Sequence, residues 1–333
     1  MARRATAQDV ADLAGVSRSA VSLVLNGHGA GNISAVKQAA ILEAARALSY
    51  TPDAVALSLR KQRTRTIGVL SWFGQAGIPG ALLGGVSQAA ARAGYLLLTV
   101  NVVQRPELVD SLLDRRVDGF LVVSPELADY QLPEALESVP AVLLNCADST
   151  RPLTSVVPDE LEAGASAARL LVEAGHRRIG VLAHPSNTLQ ASRRILGIRR
   201  ALAAAGLPGP LFVPTGRDID AGQQAACALL CDPDPPSALI CAHERLAIGA
   251  MLAAAQHGVR VPEQLSLVSL DDGEDLAVRL WPSLAVVQRP DGAMAEAALD
   301  LLIEMFGEEL PPPRQLSFAC VVRAGESVRP PSG

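Results

Sequence analysis

Along the first fifty residues the apolar positions recur at helical spacing. Thr6 is a good N-cap, and Val10, Leu13 and Ala14 follow it until Gly15 breaks the run. Ser17 caps a second segment whose apolar face is Val21, Val24 and Leu25, ending at Asn26-Gly27. Ser34 caps a third, with Ile41, Ala44, Ala45 and Leu48 on one face. Two short helices joined at Ala14-Gly15-Val16-Ser17 fit a helix-turn-helix, because the glycine permits a tight turn and Val16 plugs the space between the helices. Any three-helix mini-bundle would show the same periodicity, so the pattern alone does not choose between them.

From Thr66 onward the period changes. Short β-rich runs (Ile67–Leu70, Tyr95–Val100, Phe120–Val123, Ala141–Leu144, Ile179–Leu182, Ala238–Cys241, Ser266–Leu270) alternate with helical ones (Leu82–Ala93, Leu161–Ala174, Arg193–Ala205, Arg245–His257). This βαβ rhythm predicts an α/β fold with parallel sheets covered by helices on both faces. The strands are too many for one small sheet, and the stretch Arg151–Val157 interrupts the rhythm. Two α/β lobes fit better than one.

The length of 333 residues suits two or three domains. No apolar run approaches the ~18–20 residues of a membrane helix. The N-terminus has no apolar signal-peptide core, and the five cysteines are too few and scattered for a disulfide framework, so a cytoplasmic protein is expected. Charge is divided unevenly. Residues 1–65 carry nine Lys/Arg against four Asp/Glu, and the remainder carries 20 bases against 30 acids. A small basic end on a large acidic body is the signature of a segment that meets a polyanion. On the second helix Ser17, Arg18, Ser19, Ser22 and Leu23 form a face of mostly small or hydrogen-bonding groups suited to a major groove.

The segment TAQDVADLAGVSRSAVSLVLNG at 6–27 resembles the DNA-binding headpiece of the lac repressor (LacI/GalR) family of bacterial transcription regulators. The likeness continues through 33–70 and, with gaps, to LVSLDDGEDLAVRLWPSLAVVQRP at 267–290. The resemblance implies an N-terminal helix-turn-helix headpiece plus a two-lobed periplasmic-binding-protein-like effector domain with parallel sheets. It divides the chain into a headpiece at 1–52, a hinge helix and linker at 53–65, and an effector-binding and dimerisation domain at 66–333. The chain is expected to cross between lobes near 170, 290 and 318, giving an N-lobe of about 66–170 and 290–318 and a C-lobe of about 171–289 and 319–328.

By position, the resemblance places Arg18 and Ser19 at the base-reading start of the recognition helix. Thr6, Ser17, Ser22, Asn26 and Ser34 fall where the family meets phosphates, contacts that fix register rather than sequence. Leu23 stands where most members have an arginine, Ala20 replaces a threonine, and the loop Gly27–Asn32 is about two residues longer than usual. Tyr50 opens the hinge motif, Asp53 replaces its asparagine, and Leu59 falls on the leucine wedged into the minor groove at the operator centre. An isolated hinge helix of one or two turns folds only when docked.

Ligands of this fold sit at the carboxyl ends of strands, between the lobes. Arg194, three before Gly197, matches the ligand-gripping arginine; Asp271 matches the first of two paired aspartates; Asp159 matches another cleft acid. Glu244 replaces an aspartate, His243 an asparagine, and Glu160 the amide of an Asp-Asn pair. Acid in place of amide favours polyhydroxyl or cationic ligands over anions. Trp72 and Phe73 follow the first strand and offer an aromatic face for a sugar or base.

The expected partners are therefore double-stranded operator DNA, a sugar-like or nucleobase-like effector, and a second copy of the chain, since a two-fold dimer matches a palindrome. The tail Val321–Gly333 has no leucine heptads, which favours a dimer over a tetramer. No cofactor or metal is expected: Cys227 and Cys231, i,i+4 on a helix, read as buried structural thiols. Neither a nucleophile elbow, a P-loop nor an H-E-x-x-H motif occurs, so catalysis is not expected. The other class is a free-standing solute-binding protein, which the basic headpiece opposes.

Overall fold

The computed structural model describes residues 5–51, 63–71, 80–102, 105, 107–185, 188–273, 275–307 and 309–331. The expected hinge helix with Leu59, and the pair Trp72 and Phe73, lie outside the described residues. The chain forms two compact units, Met1–Thr64 and Arg65–Gly333.

Among the described residues the first unit holds three helices: α1 (Ala7–Ala14), α2 (Arg18–Leu25) and α3 (Ala35–Ala47). Thr6 closes a capping box with Asp9, each satisfying the other's backbone N–H, and Gly15 ends α1 in the left-handed conformation at φ 64°. Ser17 Oγ caps α2 by accepting from Ala20 N at 3.3 Å. Ser34 occupies the N-cap position of α3 but makes no side-chain capping bond. The core joins Val10, Ala11, Ala20, Val21, Ile41, Ala44 and Ala45, with Val16 packed against it as expected. Leu13 departs from expectation and is 58% exposed, because the face turned to α2 and α3 runs through Val10 and Ala11 instead.

Among the described residues the second unit contains two six-stranded sheets. The strands of the first are β1 (Thr66–Ser71), β2 (Leu96–Asn101), β3 (Gly119–Asp129), β4 (Ala141–Ala147), β5 (Ser155–Pro158) and β11 (Gln315–Phe318), in the order β11-β5-β4-β3-β1-β2, all parallel. The second is built of β6 (Ile179–Ala183), β7 (Leu211–Pro214), β8 (Ala238–Cys241), β9 (Ser266–Ser269), β10 (Ala285–Gln288) and β12 (Val321–Arg323), in the order β12-β10-β9-β8-β6-β7. Only β12 in it runs antiparallel, against β10. The first sheet lies between α4 (Gly80–Ala93) with α10 (Asp291–Glu304) on one face, and α5 (Leu108–Asp114) on the other. The second lies between α6 (Glu160–Glu173) with α7 (Leu189–Ala204), and α8 (Ile219–Leu230) with α9 (Glu244–Gln256). Strands buried on both faces need near-continuous apolar runs, and β8 and β9 are buried throughout.

Two expectations are corrected here. The interruption at Arg151–Val157 contains β5, a short strand that joins the first sheet. The first crossing between lobes lies at Asp159 rather than near 170, because Ala163, Ala167, Ala168 and Leu171 of α6 pack into the core of the second sheet. The later crossings lie at Arg289-Pro290 and between β11 and β12.

Candidate functional site

In the headpiece α2 has two unlike sides. Ala20 and Val21 are buried, while Ser17, Arg18, Ser19 and Leu23 are exposed and Ser22 is half-buried. Positions 18, 19, 22 and 23 share one helical face, so the structure brings together four of the five residues expected to face the groove. Arg18 has no ion-pair partner among the described residues, which leaves its five donors for a ligand. Several expected phosphate-contact groups also do local work. Ser17 Oγ lies 2.9 Å from Ser19 Oγ, Thr6 Oγ1 donates to Asp9 Oδ2 at 2.7 Å, and Asn26 Nδ2 donates to Ser22 O at 2.6 Å. Tyr50 packs half-buried against the headpiece core. The long loop after α2 is anchored by Gln38, whose Nε2 donates to Gly29 O at 3.1 Å and Ile33 O at 2.7 Å. His28 within it is exposed.

In the second unit a cavity of 650 Å³ opens between the two sheets at the carboxyl ends of their strands. Arg194, Glu244 and Asp271 line it, together with His243. Asp159 does not: it is the N-cap of α6, its Oδ1 accepting from Glu162 N at 3.0 Å. A short polar residue at a helix start satisfies an orphan N–H, and that local role keeps Asp159 off the lining.

Arg194 lines the cavity but is only 5% exposed, and it is not free to swing. Its Nε and Nη2 meet the two oxygens of Glu160 at 2.5 and 3.2 Å, and Nη1 donates to Ala242 O at 2.9 Å. The expected ligand-gripping arginine is thus already clamped by a carboxylate of its own chain, itself fully buried. A close helix crossing sets the pair. A Cβ on Gly197 would lie 1.9 Å from Leu161 O, and one on Gly164 would lie 2.1 Å from Arg194 O, so α6 and α7 touch backbone to backbone. Glu160 and Arg194 sit one turn before those two glycines and are brought face to face.

Charge around the cavity is heavily paired. Arg217, just after β7, forms an ion pair with Glu126 on the extension of β3, joining the lobes. Gln190 Oε1 accepts from Leu127 N at 3.3 Å, and Arg289 Nη1 donates to Pro125 O at 3.3 Å, so three bonds from the second lobe meet one short segment of the first. Arg289 is buried and paired to Asp291. Burial opposes its charge, but the neighbouring carboxylates Asp271 and Asp291 outweigh it and hold the guanidinium well above its usual range. For Asp291 burial wins, raising its carboxyl above the ordinary value despite Arg289. His243 is pushed down to about 4 by burial, aided by Arg194, Arg217 and Arg245 and resisted by Asp271, so it is neutral near pH 7. Sequence reasoning missed Arg217, Arg289 and Glu126. The first two follow β7 and β10, strands that the sequence pattern did not single out, and the rule of searching after strands would otherwise have reached them.

Cys227 and Cys231 are half-buried and exposed respectively, not the buried thiols expected, and no metal-binding cluster of His, Cys, Asp or Glu occurs among the described residues. No helix among the described residues is long and apolar enough to cross a membrane.

Known proteins resemble both units. Residues 6–53 match the model of bacterial regulatory proteins of the lacI family, and 170–328 match the periplasmic binding protein-like domain. The HTH-type transcriptional repressor PurR of Klebsiella pneumoniae (strain 342) is 30% identical over 309 residues, 90% of each chain. Among solved structures, the lac repressor dimer bound to operator and the anti-inducer ONPF superposes with a TM-score of 0.83 at 25% identity, covering 98% of this chain and all of that one. The transcriptional regulator CelR in complex with cellobiose gives 0.70 at 27% identity, covering 97% and all of the two chains. A helix-turn-helix with an open reading face, followed by a two-lobed unit with an interlobe cavity, thus has full-length relatives, and the chain belongs to the lacI family of bacterial regulatory proteins, DNA-binding regulators of transcription.

Proposed function

We propose that this regulator is a cytoplasmic repressor that binds a pseudo-palindromic operator as a homodimer, and that a small molecule in the interlobe cavity tunes its affinity for that operator. The observation that carries the reading is the open face of α2: Arg18, Ser19, Ser22 and Leu23 lie together beside a core that uses none of them. Arg18 reads bases, while Thr6, Ser17, Asn26 and Ser34, with the N–H groups at helix starts, meet phosphates. Leu23 supplies apolar contact, which suits a thymine methyl rather than a guanine edge. Leu59 enters the minor groove, and Tyr50 supports the headpiece end of the hinge. Arg194, Glu244 and Asp271 face the effector, while Asp159 keeps a capping role. The protein has no catalytic role in this reading: Arg194, Arg217 and Arg289, at or beside the cavity, are each paired with a carboxylate rather than arranged as part of a nucleophile and base.

Selection of bound sequences from a random DNA library tests it. A two-fold symmetric consensus is expected, with affinity falling steeply as salt rises because counterions are released. Arg18→Ala should relax the consensus at one symmetric pair of positions, costing roughly 1–3 kcal/mol per contact. Uniform weakening on every sequence would make Arg18 a phosphate contact, and a salt-insensitive complex would refute DNA binding by this unit.

A further inference from the structure

We infer that Glu160 is a built-in counter-ion that fixes the charge class of the effector: the cavity takes a neutral, polyhydroxylated molecule and rejects its phosphorylated or carboxylated analogues. The inference rests on the effector reading above and adds to it the chemistry of the ligand. An arginine buried in a binding cavity recruits an anion when its fork is open. Here the fork is closed. Both carboxylate oxygens of Glu160 engage Arg194 Nε and Nη2, and the carbonyl of Ala242 takes Nη1.

Neither partner has room to leave. Glu160 is fully buried, Arg194 nearly so, and the backbone contact at Gly164 and Gly197 holds the two helices together. A ligand carboxylate or phosphate entering beside this pair would bring a second negative charge to one guanidinium and leave Glu160 without its partner. Removing the partner of a buried charge is strongly unfavourable. Arg217, exposed on the lining, is ion-paired with Glu126. The remaining lining arginines, Arg199 and Arg245, are exposed at the rim, where water screens them.

A cation has little to gain either, since Glu160 and Glu126 are already paired with arginines and Asp271 faces the charge of Arg289. What the interior offers is alternating neutral recognition. The N–H groups left over on Arg194 donate, Asp271 lines the wall as an acceptor, and His184 presents a buried Nδ1 that has no hydrogen-bond partner among the described residues. Hydroxyl groups both donate and accept, so a polyol satisfies all of these at once. Stacking of a nucleobase has less to rest on, because Phe212 and two histidines are the aromatic rings on the described lining.

Isothermal titration calorimetry of the full chain tests the assignment. The probes are ribose, glucose, galactose and cellobiose, then ribose 5-phosphate, glucose 6-phosphate and galacturonate, with glucosamine and hypoxanthine as the cationic and nucleobase arms. One neutral sugar is expected to bind, its anionic analogue at least about ten-fold more weakly, as one lost or repelled charge-assisted contact implies. Glu160→Gln opens the fork of Arg194 and should move the neutral-to-anionic ratio about ten-fold or more toward the anion, whereas Glu160→Asp should keep the wild-type preference. If Glu160→Gln does not fold, the wild-type ratio and Glu160→Asp decide the matter alone. Tighter binding of an anion, of glucosamine or of hypoxanthine by the wild type would overturn the assignment while leaving an effector in place. An unchanged ratio in folded Glu160→Gln would also overturn it. If no probe binds wild type or variant, the effector reading itself falls, and the assignment with it.

Discussion

The pair Arg194–Glu160 shows how one substitution relative to a family pattern changes what its neighbour can do. The sequence position of Arg194 marks it as the ligand-gripping residue, yet its guanidinium is held by Glu160 and by the carbonyl of Ala242. Truncating it is therefore not a clean probe of ligand contact. Arg194→Ala leaves Glu160 buried and unpaired, and should cost about 3–5 kcal/mol of stability. The double variant Arg194→Ala with Glu160→Ala removes both charges together and should recover much of that loss. Denaturant unfolding of the wild type, the two single variants and the double variant measures the coupling. Additive effects would mean that the two side chains do not depend on each other, and the close geometry would then have no energetic counterpart.

At the scale of elements, the close contact of α6 with α7 positions the pair. Alanine-rich helices with glycine at the crossing point allow backbones to touch, and Gly197 lies under Leu161 O. Gly197→Ala places a methyl group where a backbone oxygen already sits, so the helices must separate. Overpacking of this kind typically costs about 1–3 kcal/mol, and a rigid backbone partner puts this site at the upper end of that range. Thermal unfolding checks the cost, and an unshifted midpoint would mean that the crossing is loose. Much of the fold was legible at this scale. The helix-turn-helix, its caps and all seven expected strands appear with boundaries moved by a residue or two, apart from β3, which continues from Val123 to Asp129 past a register shift, and β4, which runs three residues beyond Leu144 to Ala147. The strands that escaped, β5, β7, β10, β11 and β12, are three or four residues long, and β7, β11 and β12 lie at sheet edges, only partly buried, so they lack the continuous apolar run that marks the equally short β8 and β9. The cavity was legible in part for the same reason. Glu244 and Asp271 follow strands that were recognised, whereas Arg217 and Arg289 follow strands that were not. Glu160 was noticed as a substitution, but its pairing with Arg194 depends on a helix crossing that spacing along the chain does not reveal.

For the whole molecule the question is how a cavity in the unit Arg65–Gly333 informs a headpiece in the unit Met1–Thr64. Three crossings and the bonds from Arg217, Gln190 and Arg289 to the segment Pro125–Leu127 tie the two lobes together, so a ligand between them bears on their relative angle. A ligand shifts operator binding only by its differential affinity for the lobe arrangements that favour and disfavour the DNA complex. Such coupling is usually about 1–3 kcal/mol, a factor of roughly 5–150 in operator affinity. Linkage makes this reciprocal: saturating operator must change the affinity for the ligand by the same factor and in the same sense. The expected result is that the neutral sugar identified by calorimetry alters the operator dissociation constant, and that operator DNA alters the sugar dissociation constant equally. Residues 65–333 alone, which own both sheets and their cores, should fold, bind the sugar with the affinity of the DNA-free full chain, and show no response to operator. Gel shifts with and without sugar, and calorimetry with and without operator, give the two factors independently. Sugar binding that is indifferent to operator in the full chain would separate the cavity from the headpiece and end the case for a ligand-controlled repressor.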